Sequence, residues 1–158
     1  MAKFFKKILC PVDFDDNSMA ALDTAAELAR DNDAILYVMH VIFAPVTTPA
    51  LPLEPYASAS TEPTKLRLEK IARKRLGRKV RHEIVVKIGT QADQISAAAE
   101  DLDVDLIVMA THGRSGVAHL FLGSVAEEVI RSAGRSVLTI RPNAGRELRK
   151  GSAGGGRL

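Results

Sequence analysis

Glycines, a hydroxyl and basic side chains are concentrated in one segment, ATHGRSGVAHLFLGS, which runs from Ala110 to Ser124. The segment follows the apolar run DLIVM and ends where a helical pattern, VAEEVI, begins. The first turn of a helix offers free backbone N–H groups and the positive end of the helix dipole, and both attract phosphate. Gly123 and Ser124 stand at this predicted helix start, and Gly113 and Arg114 stand in the loop before it. These residue types indicate a phosphate-binding loop.

The same residues also have a purely structural explanation. Glycines between a strand and a helix often serve only to form the turn. In that case Ser124 is an N-cap without a ligand contact. Two widespread phosphate motifs, Gly-x-x-x-x-Gly-Lys-Ser/Thr and Gly-x-Gly-x-x-Gly, are absent from the sequence. The spacing alone therefore leaves phosphate binding and turn formation as alternatives.

Short apolar runs alternate along the chain with segments of helical periodicity. The predicted strands are FKKILCPVDF, AILYVMHVI, VRHEIVVKIG, VDLIVMA and RSVLTIRP. The predicted helices lie in DDNSMAALDTAAELARDND, with a cap at Asp16, Asn17 or Ser18, and in KLRLEKIARKRLGRKVR, TQADQISAAAEDL and GSVAEEVIRSAG. Strands that are apolar on both faces and alternate with helices predict an α/β fold, a single-domain, doubly wound, five-stranded parallel sheet of Rossmann-like type.

Ligands of such sheets bind outside the carboxyl ends of the strands, at the point where the winding reverses. Asp13 follows the first predicted strand, and the segment Ala110–Ser124 follows the fourth. If the first and fourth strands are neighbours, Asp13 and this segment face one crevice.

The composition predicts one domain and a tail. The chain has 158 residues, of which 46% are hydrophobic, so it can bury one sizeable core. We expect residues 1–142 to form the domain and residues 143–158 to form a flexible, basic, glycine-rich tail. The tail holds four basic residues and one acidic residue, which accounts for the net charge of +3. Nine basic residues between positions 65 and 81 are predicted to form the solvated face of an amphipathic helix, and with 4% aromatic residues the sequence does not favour nucleic-acid binding.

The chain is predicted to be cytoplasmic. Its single cysteine, Cys10, lies in the apolar stretch ILCPV, where a thiol behaves as a small core side chain. Pro11 and Asp13 interrupt the apolar run near the N-terminus, so no secretory leader is predicted there. No stretch approaches the roughly 20 apolar residues that span a bilayer, and no membrane association is expected.

Metal and catalytic sites are not indicated by the remaining polar residues. Asp13, Asp15 and Asp16 form an acidic cluster, but Asp15 and Asp16 are better explained as the start of a helix. The histidines lack the spacing of metal ligands, and neither Cys10 nor Ser124 has a recognisable base beside it in the sequence pattern. We therefore expect no protein-held metal and no enzymatic activity.

Three stretches together resemble the universal stress protein family: ILCPVDFDDNS, LYVMHVI, and the long run from Ala110 to Pro142. Nucleotide-binding members of that family carry Gly-x-x-Gly, nine residues, and then Gly-Ser or Gly-Thr. The matching positions here are Ala110, Gly113, Gly123 and Ser124, so alanine replaces the first glycine. The resemblance implies the fold of that family and covers nearly the whole chain except the tail.

The resemblance also implies an ATP site. From the acidic residues, we expect that any Mg²⁺ at Asp13 is held only through the bound nucleotide. The residues implied near the adenine and ribose are Pro11, Val12, Asp13 and Val41, the last through its backbone. The residues implied at the floor of the crevice are Met109 and Ala110. The residues implied at the phosphates are Gly113, Arg114, Gly123, Ser124 and Val125.

Family members pair as dimers through the last strand, which is SVLTI in this chain and spans Ser136 to Ile140. The resemblance therefore implies a homodimer that acts in stress response as a nucleotide-dependent regulator. The alternative is a protein with the same fold and dimer that binds no nucleotide and works only through protein partners. The sequence does not name such a partner.

Overall fold

Within residues 3–44, 61–111 and 123–141, which the computed structural model of the chain describes, five strands alternate with four helices. The strands are β1 (Lys7–Pro11), β2 (Ile35–Phe43), β3 (Arg81–Gly89), β4 (Leu106–Ala110) and β5 (Ser136–Ile140). The helices are α1 (Asp16–Asn32), α2 (Glu62–Leu76), α3 (Gln91–Asp101) and α4 (Ser124–Ser132). This order confirms the alternation predicted from the sequence.

The strands form one parallel sheet in the order β3-β2-β1-β4-β5. The chain winds outward from β1 through β2 to β3, and then crosses to the other side of β1 to add β4 and β5. The winding therefore reverses between β1 and β4, where Ile8 pairs with Leu106 and Leu9 pairs with Ile107. The prediction of a doubly wound, five-stranded parallel α/β sheet is confirmed. The first and fourth strands are neighbours, which is the condition for Asp13 and the segment after β4 to face one crevice.

Apolar side chains cover both faces of the sheet, which explains why its central strands are apolar throughout. Ile8 and Cys10 of β1 point to the layer formed with α1 and α2. Leu9, between them, points to the layer formed with α3 and α4. Cys10 is fully buried, and this burial, together with the nearby Asp23 carboxylate, raises the pKa of the thiol far above its usual value. The thiol therefore stays protonated in the folded protein.

Helix α1 begins one to three residues earlier than the predicted caps imply. Asp15 is the N-cap, and its carboxylate accepts a hydrogen bond of 2.6 Å from the Ser18 backbone N–H. The predicted caps Asp16, Asn17 and Ser18 all lie inside the helix. Asp15 takes this position because its backbone is extended, with φ −86° and ψ 166°, as an N-cap requires.

The basic segment forms a helix that is shorter than its run of charge. Helix α2 ends at Leu76, and Gly77 follows with a φ of 66°, a left-handed conformation that glycine adopts without strain. Leu68 and Ala72 are buried on one face of the helix, while Arg73 is exposed on another. The predicted amphipathic helix with a solvated basic face is confirmed.

Strand β5 lies at one edge of the sheet, where it pairs with β4. Its Leu138 side chain remains 38% exposed. The predicted tail, residues 143–158, lies outside the described residues, so its flexibility stays a prediction. In the part of the chain that the structure describes, no helix combines the length and the apolarity needed to cross a bilayer.

Candidate functional site

A cavity of about 550 Å³ opens at the carboxyl ends of the central strands. It lies where the sheet reverses its winding, the place at which open α/β sheets bind ligands. Its volume is in the range of small-molecule sites, roughly 300 to 1,000 Å³. The residues that line it are Pro11, Val12, Asp13, Ser18, His40, Val41, Phe43, Gln91, Ile95, Met109, Ala110, Thr111, Gly123, Ser124, Val125 and Ala126.

The structure brings the described predicted site residues together in this one cavity. Those residues are Pro11, Val12, Asp13, Val41, Met109, Ala110, Gly123, Ser124 and Val125. Gly113 and Arg114, the other two predicted positions, lie outside the described residues. The expectation that Asp13 and the start of α4 share one crevice is confirmed, while the assignment of these residues to a nucleotide stays a prediction.

The first turn of α4 supplies hydrogen-bond donors to the cavity. Gly123 is the N-cap, and the first bond of the helix runs from the Glu127 N–H to the Gly123 carbonyl at 3.0 Å. The N–H groups of Ser124, Val125 and Ala126 precede that bond, so helix geometry gives them no intrahelical acceptor. All three residues line the cavity. The cavity therefore has an anion-binding helix end in its wall.

An acidic residue in the same turn does not cancel this property. Glu127 belongs to the first turn of α4, where its carboxylate would oppose a bound anion. Its Oε1, however, accepts a hydrogen bond of 2.7 Å from Arg131, one turn further along the helix. Both side chains are largely exposed, so water and this ion pair screen the carboxylate from the cavity.

Backbone hydrogen bonds tie the start of α4 to the ends of two strands. The Gly123 N–H donates to the Thr111 carbonyl at 2.5 Å. The Thr111 N–H in turn donates to the Ile140 carbonyl, at the end of β5, at 3.1 Å. Thr111 is buried and itself lines the cavity. The helix end is consequently fixed relative to the sheet, which preorganises its donors.

Ala110, the position at which the motif departs from glycine, is the last residue of β4 and pairs with Ile140 of β5. Among the described residues, the non-glycine positions with positive φ are Phe14, Asp33 and Asp103. Ala110 is therefore not left-handed, and its methyl group is sterically allowed on this extended backbone.

Two carboxylates share a hydrogen-bond network at the end of β1. The Asp15 N–H donates to the Asp13 carboxylate at 3.1 Å, and the Asp13 N–H donates to the Ser18 hydroxyl at 3.2 Å. Burial raises the pKa of Asp13, but the hydrogen bonds from Asp15 and Ser18 outweigh burial and place that pKa below its usual value. Burial and the neighbouring Asp13 raise the pKa of Asp15. These hydrogen bonds thus favour the ionised form of Asp13, a residue that lines the cavity.

The lining between β2 and β4 is mainly apolar. Val41, Ile95 and Met109 are buried and belong to the same core layer. An apolar wall of this kind suits the face of a flat ring, whereas the Asp13 carboxylate and the α4 amides suit polar groups. The cavity therefore has both an apolar lining and an anion-binding helix end.

Several residues that line the cavity were not predicted as site residues from the sequence: Ser18, His40, Phe43, Gln91, Ile95, Thr111 and Ala126. The Nδ1 of His40 donates to the Val12 carbonyl at 2.7 Å, so this ring is fixed to the end of β1. Its position directly before Val41 on a predicted strand was the available signal. Gln91 and Ile95 belong to α3, and their place could be found only once the strand order was known.

No group of three or more His, Cys, Asp or Glu side chains is arranged to hold a metal ion within the described ranges. The polar groups that line the cavity are hydrogen-bond donors and acceptors. The arrangement is chemically suited to binding a ligand with one anionic end and one flat apolar end.

Comparison with known proteins gives a family and a fold. The model of the universal stress protein family matches residues 4–141. Universal stress protein MJ0531 of Methanocaldococcus jannaschii is 35% identical over 144 residues, which cover 87% of this chain and 82% of that protein. The solved structure of MJ0577, from the same organism, has a TM-score of 0.72 at 27% identity and covers 87% of this chain and 96% of its own. A universal stress protein from Archaeoglobus fulgidus, solved in complex with dAMP, has a TM-score of 0.60 at 24% identity, covers 89% of this chain and 100% of its own, and shows the fold alone.

These findings agree with the sequence and the fold. The family model covers the sheet and its helices from before β1 to the end of β5. The glycine and serine of the family motif, Gly123 and Ser124, stand at the start of α4 in the cavity wall. The chain belongs to the universal stress protein family.

Proposed function

We propose that this protein binds ATP in the cavity between β1, β2, β4 and α4, and acts as a nucleotide-dependent regulatory homodimer in stress response. The observation that carries the proposal is the first turn of α4, whose N–H groups lie in the wall of a cavity that also has an apolar lining. A triphosphate needs such donors, and a purine needs such an apolar surface.

The phosphates are proposed to lie at the start of α4. The backbone N–H groups of Ser124, Val125 and Ala126 donate to phosphate oxygens, and the Ser124 hydroxyl adds a further donor. Gly123, without a side chain, lets the phosphates approach this helix end. Gly113 and Arg114 are proposed to contact the phosphates as well, and Mg²⁺ is proposed to bind through the phosphates of ATP.

The adenosine is proposed to lie at the ends of β1 and β2. Val41 offers its backbone to the edge of the adenine, Met109 and Ala110 form the floor, and Pro11 and Val12 lie beside the ring. The Asp13 carboxylate, ionised because its hydrogen bonds lower its pKa, accepts from ribose hydroxyls. Binding of dAMP by the Archaeoglobus fulgidus protein supports an adenine ligand on this fold.

The homodimer is proposed to form through β5, from Ser136 to Ile140. This strand lies at the edge of the sheet with Leu138 partly exposed, and an exposed apolar edge is a liability that pairing with a second copy removes. We further propose that the protein is cytoplasmic, regulatory and not enzymatic, with a domain at residues 1–142 and a flexible tail at residues 143–158.

Isothermal titration calorimetry with Mg-ATP tests the proposal. We expect ATP to bind and GTP to bind more weakly, because the Val41 backbone reads the amino edge of adenine. Ser124→Ala should weaken ATP binding by about tenfold or more, since a hydrogen bond to a charged group contributes about 1.5 to 3 kcal/mol. Ser132→Ala is the matched control, because Ser132 lies in the last turn of the same helix and bonds Ser96 at 2.7 Å. Its ATP affinity should equal that of the wild type.

Absence of binding heat and of any thermal shift with Mg-ATP would overturn the proposed function. That result would favour the alternative in which the same fold and dimer act only through protein partners. Equal losses in Ser124→Ala and Ser132→Ala would instead place the ligand away from the start of α4.

A further inference from the structure

A left-handed aromatic residue lies beside the proposed nucleotide site. Phe14 has a φ of 67°, a region that a bulky side chain adopts only with strain. It stands between Asp13, which lines the cavity, and Asp15, which caps α1. The backbone of Phe14 therefore sets the direction of a cavity residue, and contacts elsewhere in the protein must stabilise its strained conformation.

Two side chains from distant parts of the sequence contact the Phe14 ring. The His40 ring, on β2, lies with its centroid 4.5 Å from that of Phe14, and the two planes are tilted by 41°. The Arg67 guanidinium, on α2, lies over the ring with its central carbon 3.8 Å from the centroid, which is a cation–π contact. We call Arg67, Phe14 and His40 the Phe14 stack.

Hydrogen bonds connect the cavity wall to the Phe14 stack on one side and to the residue after Phe14 on the other. The His40 Nδ1 donates to the Val12 carbonyl at 2.7 Å, and the Asp15 N–H donates to the Asp13 carboxylate at 3.1 Å. Rotation of the Phe14 backbone out of the left-handed region would break this arrangement. It would also turn the Asp13 carboxylate away from the orientation that it has in the cavity.

We propose that Arg67 is a positioning residue of the nucleotide site, acting through the Phe14 stack. The inference rests on the proposed binding of ATP. Arg67 is exposed and does not line the cavity, so it does not contact the ligand there. Its guanidinium holds the Phe14 ring against His40, and the ring holds the turn that presents Asp13. One charge of the basic helix α2 thus serves the site.

Calorimetric titration of Mg-ATP into Arg67→Ala tests this role. A cation–π contact of ordinary strength predicts a loss of affinity of roughly three- to tenfold. Arg73→Ala is the matched control, because it removes the same charge from the same helix, and Arg73 is an exposed partner of Glu69. Its affinity should change less than twofold. Equal losses in the two variants would show a general effect of charge on an anionic ligand and would overturn the proposal.

A double-mutant cycle with Phe14→Gly separates positioning from other effects. Glycine adopts a φ of 67° without strain and offers no ring to Arg67. In the Phe14→Gly background, Arg67→Ala should therefore leave ATP affinity unchanged within about twofold. The same loss in both backgrounds would mean that Arg67 acts on the site by another route, which would overturn the proposal.

Amide hydrogen exchange of the nucleotide-free protein distinguishes failure of this inference from failure of the proposed function. The Asp15 N–H, which is bonded to Asp13, should exchange faster in Arg67→Ala than in the wild type and Arg73→Ala. This comparison decides whether Arg67 holds the turn even if the wild type binds no ATP. Unchanged exchange in Arg67→Ala would overturn the inference.

Discussion

Replacing Ala110 by glycine tests how the departure from the family motif affects binding. Ala110 is the last residue of β4, its partner in β5 is Ile140, and its φ is not positive. A left-handed position would penalise alanine by about 1 to 2 kcal/mol, so glycine would then raise the affinity by roughly five- to thirtyfold. On the extended backbone this penalty is absent. We therefore expect Ala110→Gly to change the ATP affinity by less than about threefold, which corresponds to about 0.6 kcal/mol.

The same substitution should have a measurable effect on stability. Glycine inside a strand is destabilising by roughly 0.5 to 1 kcal/mol relative to alanine. For a chain of this size, that loss lowers the Tm by about 1 to 4 °C. Calorimetric titration with Mg-ATP and a thermal unfolding curve on the same sample give both quantities. A gain in ATP affinity of tenfold or more would refute the reasoning, because it would show that alanine impairs the native site.

Gly123→Val should weaken ATP binding by at least about tenfold, because a branched side chain occupies the space through which the phosphates approach. The circular dichroism spectrum should be unchanged, because the backbone angles of Gly123, φ −57° and ψ 149°, suit any residue. Retained affinity would argue against phosphates at Gly123. Asp15→Asn should equal or exceed the wild type in unfolding free energy at pH 7 and lose that advantage near pH 3.5, as measured by urea unfolding. The sign follows from the raised pKa of Asp15. A raised pKa means that protonated Asp15 contributes stability below its unfolded pKa of about 3.9, and that this contribution is lost as the pH rises through the folded pKa. An acid-side advantage for the variant would contradict this. Leu138→Lys should shift a sedimenting dimer to monomer at micromolar concentration, because a charge on β5 opposes edge pairing. A wild type that is monomeric there would exclude the proposed dimer.

The order of the helices and strands could be predicted because the spacing of apolar residues within each segment indicates a helix or a strand. Leu68 and Ala72 mark the buried face of α2 from spacing alone, and the apolar run around Cys10 predicts a central strand. The exact ends of the helices and strands were harder to predict than their order. The charge pattern continues past Leu76, whereas the helix ends there because Gly77 takes a left-handed conformation.

The site residues that belong to a sequence motif could be predicted. The site residues that only the folding of distant segments brings together could not. Gly123 and Asp13 belong to segments with recognisable chemistry, and the strand order then brings them together. The contact between Arg67 and Phe14 joins residues far apart in the sequence, and no local pattern signals it. Gln91 likewise lines the cavity only because α3 packs on a particular face of the sheet.

Because Cys10 is buried, the reactivity of its thiol reports local opening of the fold. The thiol lies at the centre of the sheet, fully buried and held protonated, so a thiol-specific reagent cannot react with it in the native state. It becomes reactive when β1 loses its cover. Because the sequence has a single cysteine, the rate of its labelling measures one event, the opening of the helical layer that covers this face of β1. Ligands that stabilise this packing can therefore be recognised by the slowing of one chemical reaction at a native residue.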